Sequence, residues 1–226
     1  MSSIDVSNRN LIRLEIGNDE TLVVYPENGE PERFSLIGVI SLNCHNNQLT
    51  RLPLLPESLE KLYCSINQIT NLPLLPKGLE RLDCSNNQLT SLPRLPEGLK
   101  VLGCSNNQLT SLPLLPKRLE ILGCSHNQLT SLPLLPEGLK VLYCSTNQLT
   151  SLPSLSERME MLYCYDNPLK YIPFLRKRPQ HLNVPKSLRE KYSASNYQEG
   201  YRLQEIIRYL FLTFFDELDL QLDFLV

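Results

Sequence analysis

A 20-residue period runs through the middle of the chain without insertion. It shows most plainly in the seven cysteines, Cys44, Cys64, Cys84, Cys104, Cys124, Cys144 and Cys164, which are all the cysteines the sequence has. The same phase holds Leu42, Leu62, Leu82, Leu102, Leu122, Leu142 and Leu162. It also holds the asparagines Asn47, Asn67, Asn87, Asn107, Asn127, Asn147 and Asn167 and the aliphatic row from Leu49 and Ile69 to Leu169. A fixed short period excludes an ordinary globular core, because each unit is too small to bury its own apolar face and must stack on copies of itself.

The pattern inside the unit specifies the coil. In Leu79-Glu80-Arg81-Leu82-Asp83-Cys84, Leu82 and Cys84 alternate with Arg81 and Asp83, the two-residue period of a strand with one buried face. One short strand per unit is expected, stacked in parallel on its neighbours, with seven rungs making a sheet roughly 30 Å tall. The asparagine after the strand has an amide able to satisfy backbone groups exposed at the bend, so the seven asparagines are expected to form a ladder. The return path reads Leu-Pro-x-Leu-Pro, as in Leu92-Pro93-Arg94-Leu95-Pro96, and two prolines three apart exclude a helix and favour polyproline-like extension.

The unit LxxLxCSxNQLTSLPxLPxx fits the leucine-rich repeat pattern, with cysteine in a slot where many such repeats carry leucine. Its Leu-Pro-x-Leu-Pro segment resembles the short bacterial-type repeats of Yersinia outer protein M and of the invasion-plasmid-antigen ubiquitin ligases. The wording Cys-Ser-x-Asn-Gln-Leu-Thr resembles the leucine-rich repeat proteins encoded by giant viruses of amoebae. The resemblance covers Val39 to about Arg178. It implies an α/β, mainly β, leucine-rich repeat solenoid with a parallel concave sheet and an extended convex side. The ligases carry a catalytic cysteine in a separate domain; no cysteine follows Cys164, so that activity is not expected.

Three segments follow: an N-terminal cap over residues 1–38, seven repeats over 39–178, and a C-terminal helical cap over 179–226. Leu14-Glu15-Ile16 and Leu22-Val23-Val24-Tyr25 flank the turn-forming Gly17-Asn18-Asp19-Glu20 and predict a β-hairpin over the first rung. The stretch from Pro185 to Tyr192 predicts a short helix, and a second is expected from about Gly200. In the second, Leu203, Ile206, Ile207, Leu210, Phe211, Phe214, Phe215 and Leu218 share one face, which either closes the last repeat or docks a partner. The alternation of Leu218, Leu220, Leu222 and Phe224 fits an irregular extension of that helix or an edge strand equally.

Catalytic constellations are not found in the sequence. The cysteines occupy an inward strand position and form no Cys-x-x-Cys pair, so they read as small buried hydrophobes in a reducing compartment rather than metal ligands. His45 and His126 stand four repeats apart, about 19 Å on the rung spacing, and cannot share a metal or proton. No Ser-His-carboxylate arrangement and no glycine-rich phosphate loop appears. No enzyme activity, cofactor or metal is expected. The formal charge of -2 supplies no field for nucleic acid. Asp216, Glu217, Asp219 and Asp223 interrupt the nearest apolar stretch, so no membrane span is expected, and the start lacks a secretory pattern. A cytoplasmic location follows, the host's cytoplasm if the chain is virus-encoded.

Variation on a uniform repeat is where recognition is written. The third strand position changes from Ser41, Lys61 and Arg81 to Val101, Ile121, Val141 and Met161; the fifth runs Asn43, Tyr63, Asp83, Gly103, Gly123, Tyr143 and Tyr163. An exposed apolar stripe beside a glycine-floored depression, walled by Tyr143, Tyr163 and Tyr165, is therefore expected to bind a protein partner, with Tyr63 and Arg81 at its polar end. The chain reads as a protein-interaction module, with a self-assembling protein or an effector-like adaptor acting on a host protein as alternatives. A monomer is expected, or a dimer through the C-terminal helix. Finally, Lys77/Glu80, Glu97/Lys100, Lys117/Glu120 and Glu137/Lys140 set opposite charges three apart and swap them on each repeat, which opposes slippage by one unit.

Overall fold

A computed structural model describes residues 2–17, 19–173 and 179–189. Twelve strands form two sheets: β1 (Ser2–Asp5), β2 (Leu11–Ile16), β3 (Thr21–Pro26), β4 (Glu32–Ser35), β5 (Val39–Asn43), β6 (Lys61–Tyr63), β7 (Arg81–Asp83), β8 (Val101–Gly103), β9 (Ile121–Gly123), β10 (Val141–Tyr143), β11 (Met161–Tyr163) and β12 (His181–Asn183). Nine of them make one parallel sheet in the order β1-β5-β6-β7-β8-β9-β10-β11-β12. Successive repeats pair in register, Leu62 on Leu82, Leu82 on Leu102, Leu102 on Leu122, so every side chain stacks on its equivalent in the next turn. The result is a mainly-β, parallel-sheet solenoid.

Three-residue strands suffice because the pairing continues past them. At the central turns the Cys84 N–H donates to Gly103 O, the Asn86 N–H to Ser105 O and the Gln88 N–H to Ile69 O, at 2.8, 2.8 and 2.9 Å. The return segments lack such a ladder, since five of the six described hold two prolines without an N–H and the last, with Ser156 for the second, holds one, and they run as extended chain. Between the two walls lie the repeated Leu, Cys and Leu/Ile positions, fully buried from Leu59 through Cys144.

The loop between strand and return segment contains a feature the sequence reading did not foresee. The residue before each ladder asparagine has a positive φ near 54°, at Asn46, Ile66, Asn86, Asn106, His126, Thr146 and Asp166. This left-handed bend turns the following asparagine into the coil. Asparagine and aspartate tolerate it; Ile66, β-branched and 44% exposed, does not. Ile66→Asn is expected to raise stability by about 1 kcal/mol, read from the denaturant midpoint, whereas the same exchange at an extended exposed position has no such effect.

At the N-terminus the hairpin is present as β2 and β3, with Glu15 opposite Val23 and Ile16 opposite Leu22, and β4 adds a third antiparallel strand. β1 lies outside this sheet and pairs with β5, placing Ile4 beside Leu42. At the other end β12 adds a rung, with Leu182 beside Leu162 and Val184 buried in the slot that cysteine occupies elsewhere. Of the helix expected from Pro185 to Tyr192, the described residues show a 3-10 turn, Lys186–Leu188, and residues 190–192 lie outside them. No α-helix occurs among the described residues, so the α component of the expected fold class is not found there. The helix expected from about Gly200 lies outside the described residues.

The alternating charges act between turns rather than within them. Lys100 Nζ is 2.8 Å from Glu80 Oε1 and Lys140 Nζ is 2.7 Å from Glu120 Oε2, each one rung apart. The lysines hold both carboxyls below their ordinary range through these hydrogen bonds. Such half-exposed pairs contribute little to stability, and their effect is on pairing register.

Candidate functional site: the concave sheet

The outward side of the parallel sheet, expected from the sequence to be the concave face, is built from strand positions three and five. Val101, Ile121, Val141 and Met161 stand in consecutive rungs and form a continuous apolar row. They are half-buried rather than fully exposed, because in-register stacking lays each against its equivalents above and below. Arg81 at the head of the row is exposed, and Lys61 beside it is half-buried.

In the neighbouring row Gly103 pairs with Gly123, leaving two successive rungs without a side chain. Tyr143 and Tyr163 rise at one end, with ring centroids 5.1 Å apart and planes tilted by 45°. The Tyr143 hydroxyl donates to Met161 Sδ at 3.7 Å, tying the aromatic row to the aliphatic one. Tyr165 belongs to the next row outward, where the other repeats mostly carry serine, and is 36% exposed.

At the opposite end stands Asp83, which sequence reasoning placed in the row without assigning it a role. Its Oδ1 accepts the Ser85 N–H at 3.1 Å and would lie only 2.9 Å from a Cβ on Gly103. Glycine at 103 is therefore what allows the carboxylate to lean over the floor. The signal was present in the sequence as an acid followed, one and two repeats later, by glycine. Tyr63 sits one rung further, paired with Asp83. The sheet thus brings together an acidic end, a two-rung floor and an aromatic wall, flanked by an apolar strip.

The asparagine ladder underlies this surface. Asn107 Nδ2 donates to Cys84 O at 3.1 Å and Cys104 O at 3.2 Å, while its Oδ1 accepts the Leu89 N–H at 2.9 Å. The internal asparagines repeat this scheme, each joining its own turn to the preceding one. Asn47 also accepts the Arg9 and Leu11 N–H groups and donates to Val6 O, which fastens the N-terminal strands to the solenoid.

No nucleophile is available on this surface from the cysteines. All seven thiols are free and buried. Burial pushes Cys44 and Cys164 up to about 12 and the five between them well above their ordinary value. Among the described residues no group of three metal-ligating side chains gathers, and no helix is long and apolar enough to cross a membrane. His45 Nδ1 lies 3.0 Å from Ser65 Oγ, with no carboxylate completing the arrangement. The basic run Arg176-Lys177-Arg178 lies outside the described residues.

Comparison with known proteins bears on this architecture. The leucine-rich repeat family model matches residues 57–97 and 117–157. No curated protein sequence matches significantly. The fold is similar to the leucine-rich effector YopM of Yersinia pestis, with TM-score 0.62 and 38% identity over 66% of this chain and 43% of that one. It is similar to YopM of Yersinia enterocolitica, with TM-score 0.53 and 32% identity over 65% of this chain and 37% of that one. It is also similar to a Shigella effector leucine-rich repeat domain, with TM-score 0.54 and 39% identity over 56% of this chain and 58% of that one. This chain spans less than two thirds of the length of each. The chain therefore carries leucine-rich repeats, and its solenoid has the form seen in these effectors.

Proposed function

We propose that the chain is a non-enzymatic protein-interaction module whose concave sheet holds a protein partner. The observation that carries this reading is the Tyr143–Tyr163 pair standing over the Gly103–Gly123 floor, opposite the Asp83 carboxylate. Stacked tyrosines present a rigid apolar body with a polar tip at low entropic cost, and an open floor between aromatic and acid admits a side chain from outside. A basic partner residue suits that slot. It would extend along the floor with its charge at Asp83 and its stem against Tyr143, while the strip Val101-Ile121-Val141-Met161 takes apolar side chains. Tyr63, Arg81 and Tyr165 form the rim, where charge steers association more than it holds the complex.

The likeness to Yersinia and Shigella effector repeats supports a further reading, in which the chain acts as an effector-like adaptor on a host protein. Seven reduced, buried cysteines suit a reducing compartment, hence a cytoplasmic setting. The wording Cys-Ser-x-Asn-Gln-Leu-Thr supports a viral source, with the host cytoplasm as the place of action.

Ile121→Asp and Tyr143→Ala test the site. Each is expected to weaken binding of a purified partner at least about tenfold, equivalent to about 1.4 kcal/mol, while Ser111→Glu on the return side leaves it unchanged. Tyr143 is half-buried against Tyr163, so thermal melts must show that the variant is folded at the temperature of the assay. Full affinity in both concave variants, with loss in Ser111→Glu, would place the interface elsewhere.

A further inference from the structure

The return side carries a second surface. The central residue of Leu-Pro-x-Leu-Pro is Leu54, Leu74, Arg94, Leu114, Leu134 and Ser154 in successive turns. The four leucines are 74%, 80%, 85% and 83% exposed, although the neighbouring proline and leucine of each segment are at least partly covered. Three residues further on runs a row of exposed charges that changes sign at each turn: Glu57, Lys77, Glu97, Lys117 and Glu137. Among the described residues the only ion pair in this row is Glu97 with Arg94, at 3.6 Å; Lys77, Lys117 and Glu137 have none.

We propose that this convex face is an interface between two antiparallel copies of the chain. An alternating row is complementary to itself when one copy is turned end over end about an axis lying between two rungs. Rungs of opposite sign then face each other, and the leucine row faces itself. Greatest overlap of the six described return segments puts the axis between Leu92–Pro96 and Leu112–Pro116. Glu97 then meets Lys117 of the second copy and Lys77 meets its Glu137, four ion pairs by symmetry. Leu74 meets Leu134 of the second copy, and the stem of Arg94 lies on its Leu114. The alternation ends at Glu137, since Glu157 follows it, so at each rim Glu57 faces Glu157 of the second copy and like charges oppose the pairing there.

Size sets the strength. Four leucines so exposed put about 500 Å² of apolar surface on the row, and two copies together bury on the order of 1,000 Å², the lower bound of a specific interface. Association in the micromolar to hundred-micromolar range follows, leaving the concave sheet of both copies open and independent of this contact.

Sedimentation equilibrium of the full chain from about 1 μM to 500 μM tests this, with the mass-average weight expected to climb from 25.9 kDa toward twice that value. Leu114→Glu is expected to weaken the dimer at least about tenfold. Lys77→Glu is expected to weaken it several-fold, and Lys77→Glu with Glu137→Lys to restore it, although the double change sets like charges side by side within each chain. Orientation is read by crosslinking, the native thiols being buried. Leu74→Cys with Leu134→Cys is expected to oxidise to a covalent dimer. Leu74→Cys alone is not, since its copy lies three rungs away, about 14 Å, beyond disulfide reach. A chain monomeric throughout overturns the proposal. So do crosslinking by Leu74→Cys alone and a dimer indifferent to Leu114→Glu, which would mean another surface or another part of the chain holds the copies together.

Discussion

Raising the pH through the range just above 9 is expected to unfold the solenoid abruptly, while the same change below about 8 leaves its stability unaltered. The cause is the stack of seven buried thiols. In the folded chain desolvation, joined in the interior by the charge of neighbouring cysteines, holds the thiol up: to about 12 at Cys44 and Cys164, and well above 9.0 at the five between. In the unfolded chain the same groups ionise near their ordinary value. A folded pKa above the unfolded one gives stability that is complete below about 9 and is lost as pH rises toward the folded value, because the unfolded state alone sheds its protons in that window. Each thiol removes about 1.4 kcal/mol per pH unit, so seven remove roughly 10 kcal/mol per unit, comparable to the whole stability of an ordinary domain. Denaturant midpoints measured from about pH 7 to 10 should fall steeply above 9, with thiolate absorbance appearing together with loss of the sheet signal. Replacing Cys84 and Cys104 by alanine lowers the starting stability but should flatten the slope by two sevenths, which separates thiols from tyrosines and lysines titrating nearby. Thiols that ionise in a chain still folded would refute the core placement.

The coil was readable because every repeat meets copies of itself above and below. A residue's environment is then set by its phase alone, and Leu82, Cys84 and Asn87 reveal theirs by recurrence. Legibility failed where recurrence failed. β1 occupies Ser-Ser-Ile-Asp, with little intrinsic strand preference, and is a strand because β5 offers it a partner edge. Ile4 and Val6 take the Leu and Cys slots there, but the antiparallel insertion of β2, β3 and β4 separates them from the first repeat by more than one period. At the other end Leu182 and Val184 keep the 20-residue phase, yet valine stands for cysteine and Ser187 stands where a ladder asparagine would be. The left-handed position was hidden by Ile66 and Thr146 among residues that favour it. On the concave face the strand phase located the rows correctly, but which side chains lean across a floor depends on individual rotamers. Asp83 over Gly103 therefore appeared only with coordinates. The convex leucines were missed because the segment was read for its prolines, and polyproline extension says nothing about which way the residue between them points.

Removing a single amide from the middle of the ladder should have a larger effect than removing most core methyl groups. Asn107 is 9% exposed, and its side chain joins two turns: it satisfies Cys84 O from the turn before, Cys104 O from its own turn and the Leu89 N–H from the turn before. Alanine leaves the Leu89 N–H unpaired in a place water reaches poorly and takes from Cys84 O and Cys104 O one of two side-chain donors, Asn87 and Asn127 keeping the other, and a buried unpaired group costs about 1–3 kcal/mol. Asn107→Ala is therefore expected to lose about 1–3 kcal/mol in urea melts, the lower end applying if one water enters the gap. Because stability in a stack is a sum of turn and nearest-neighbour terms, the loss falls on the contact between the turns of Cys84 and Cys104. The transition should then separate into an N-terminal and a C-terminal half. Asn107→Asp discriminates lost hydrogen bonds from lost volume, since it is isosteric. Its carboxylate can still accept from Leu89 but presents a second oxygen, without protons, to two carbonyls, so near neutral pH it should be less stable than Asn107→Ala. That environment disfavours the charged form and raises the folded pKa of the new acid, so stability is present below the ordinary carboxylate range and lost as pH rises from there through the raised folded value. Acidification should accordingly bring Asn107→Asp back above Asn107→Ala, as the protonated acid donates to one of the carbonyls. Two variants that stay equal at every pH, or an alanine variant within a few tenths of a kcal/mol of the parent, would show that the ladder follows from the fold and does not hold it.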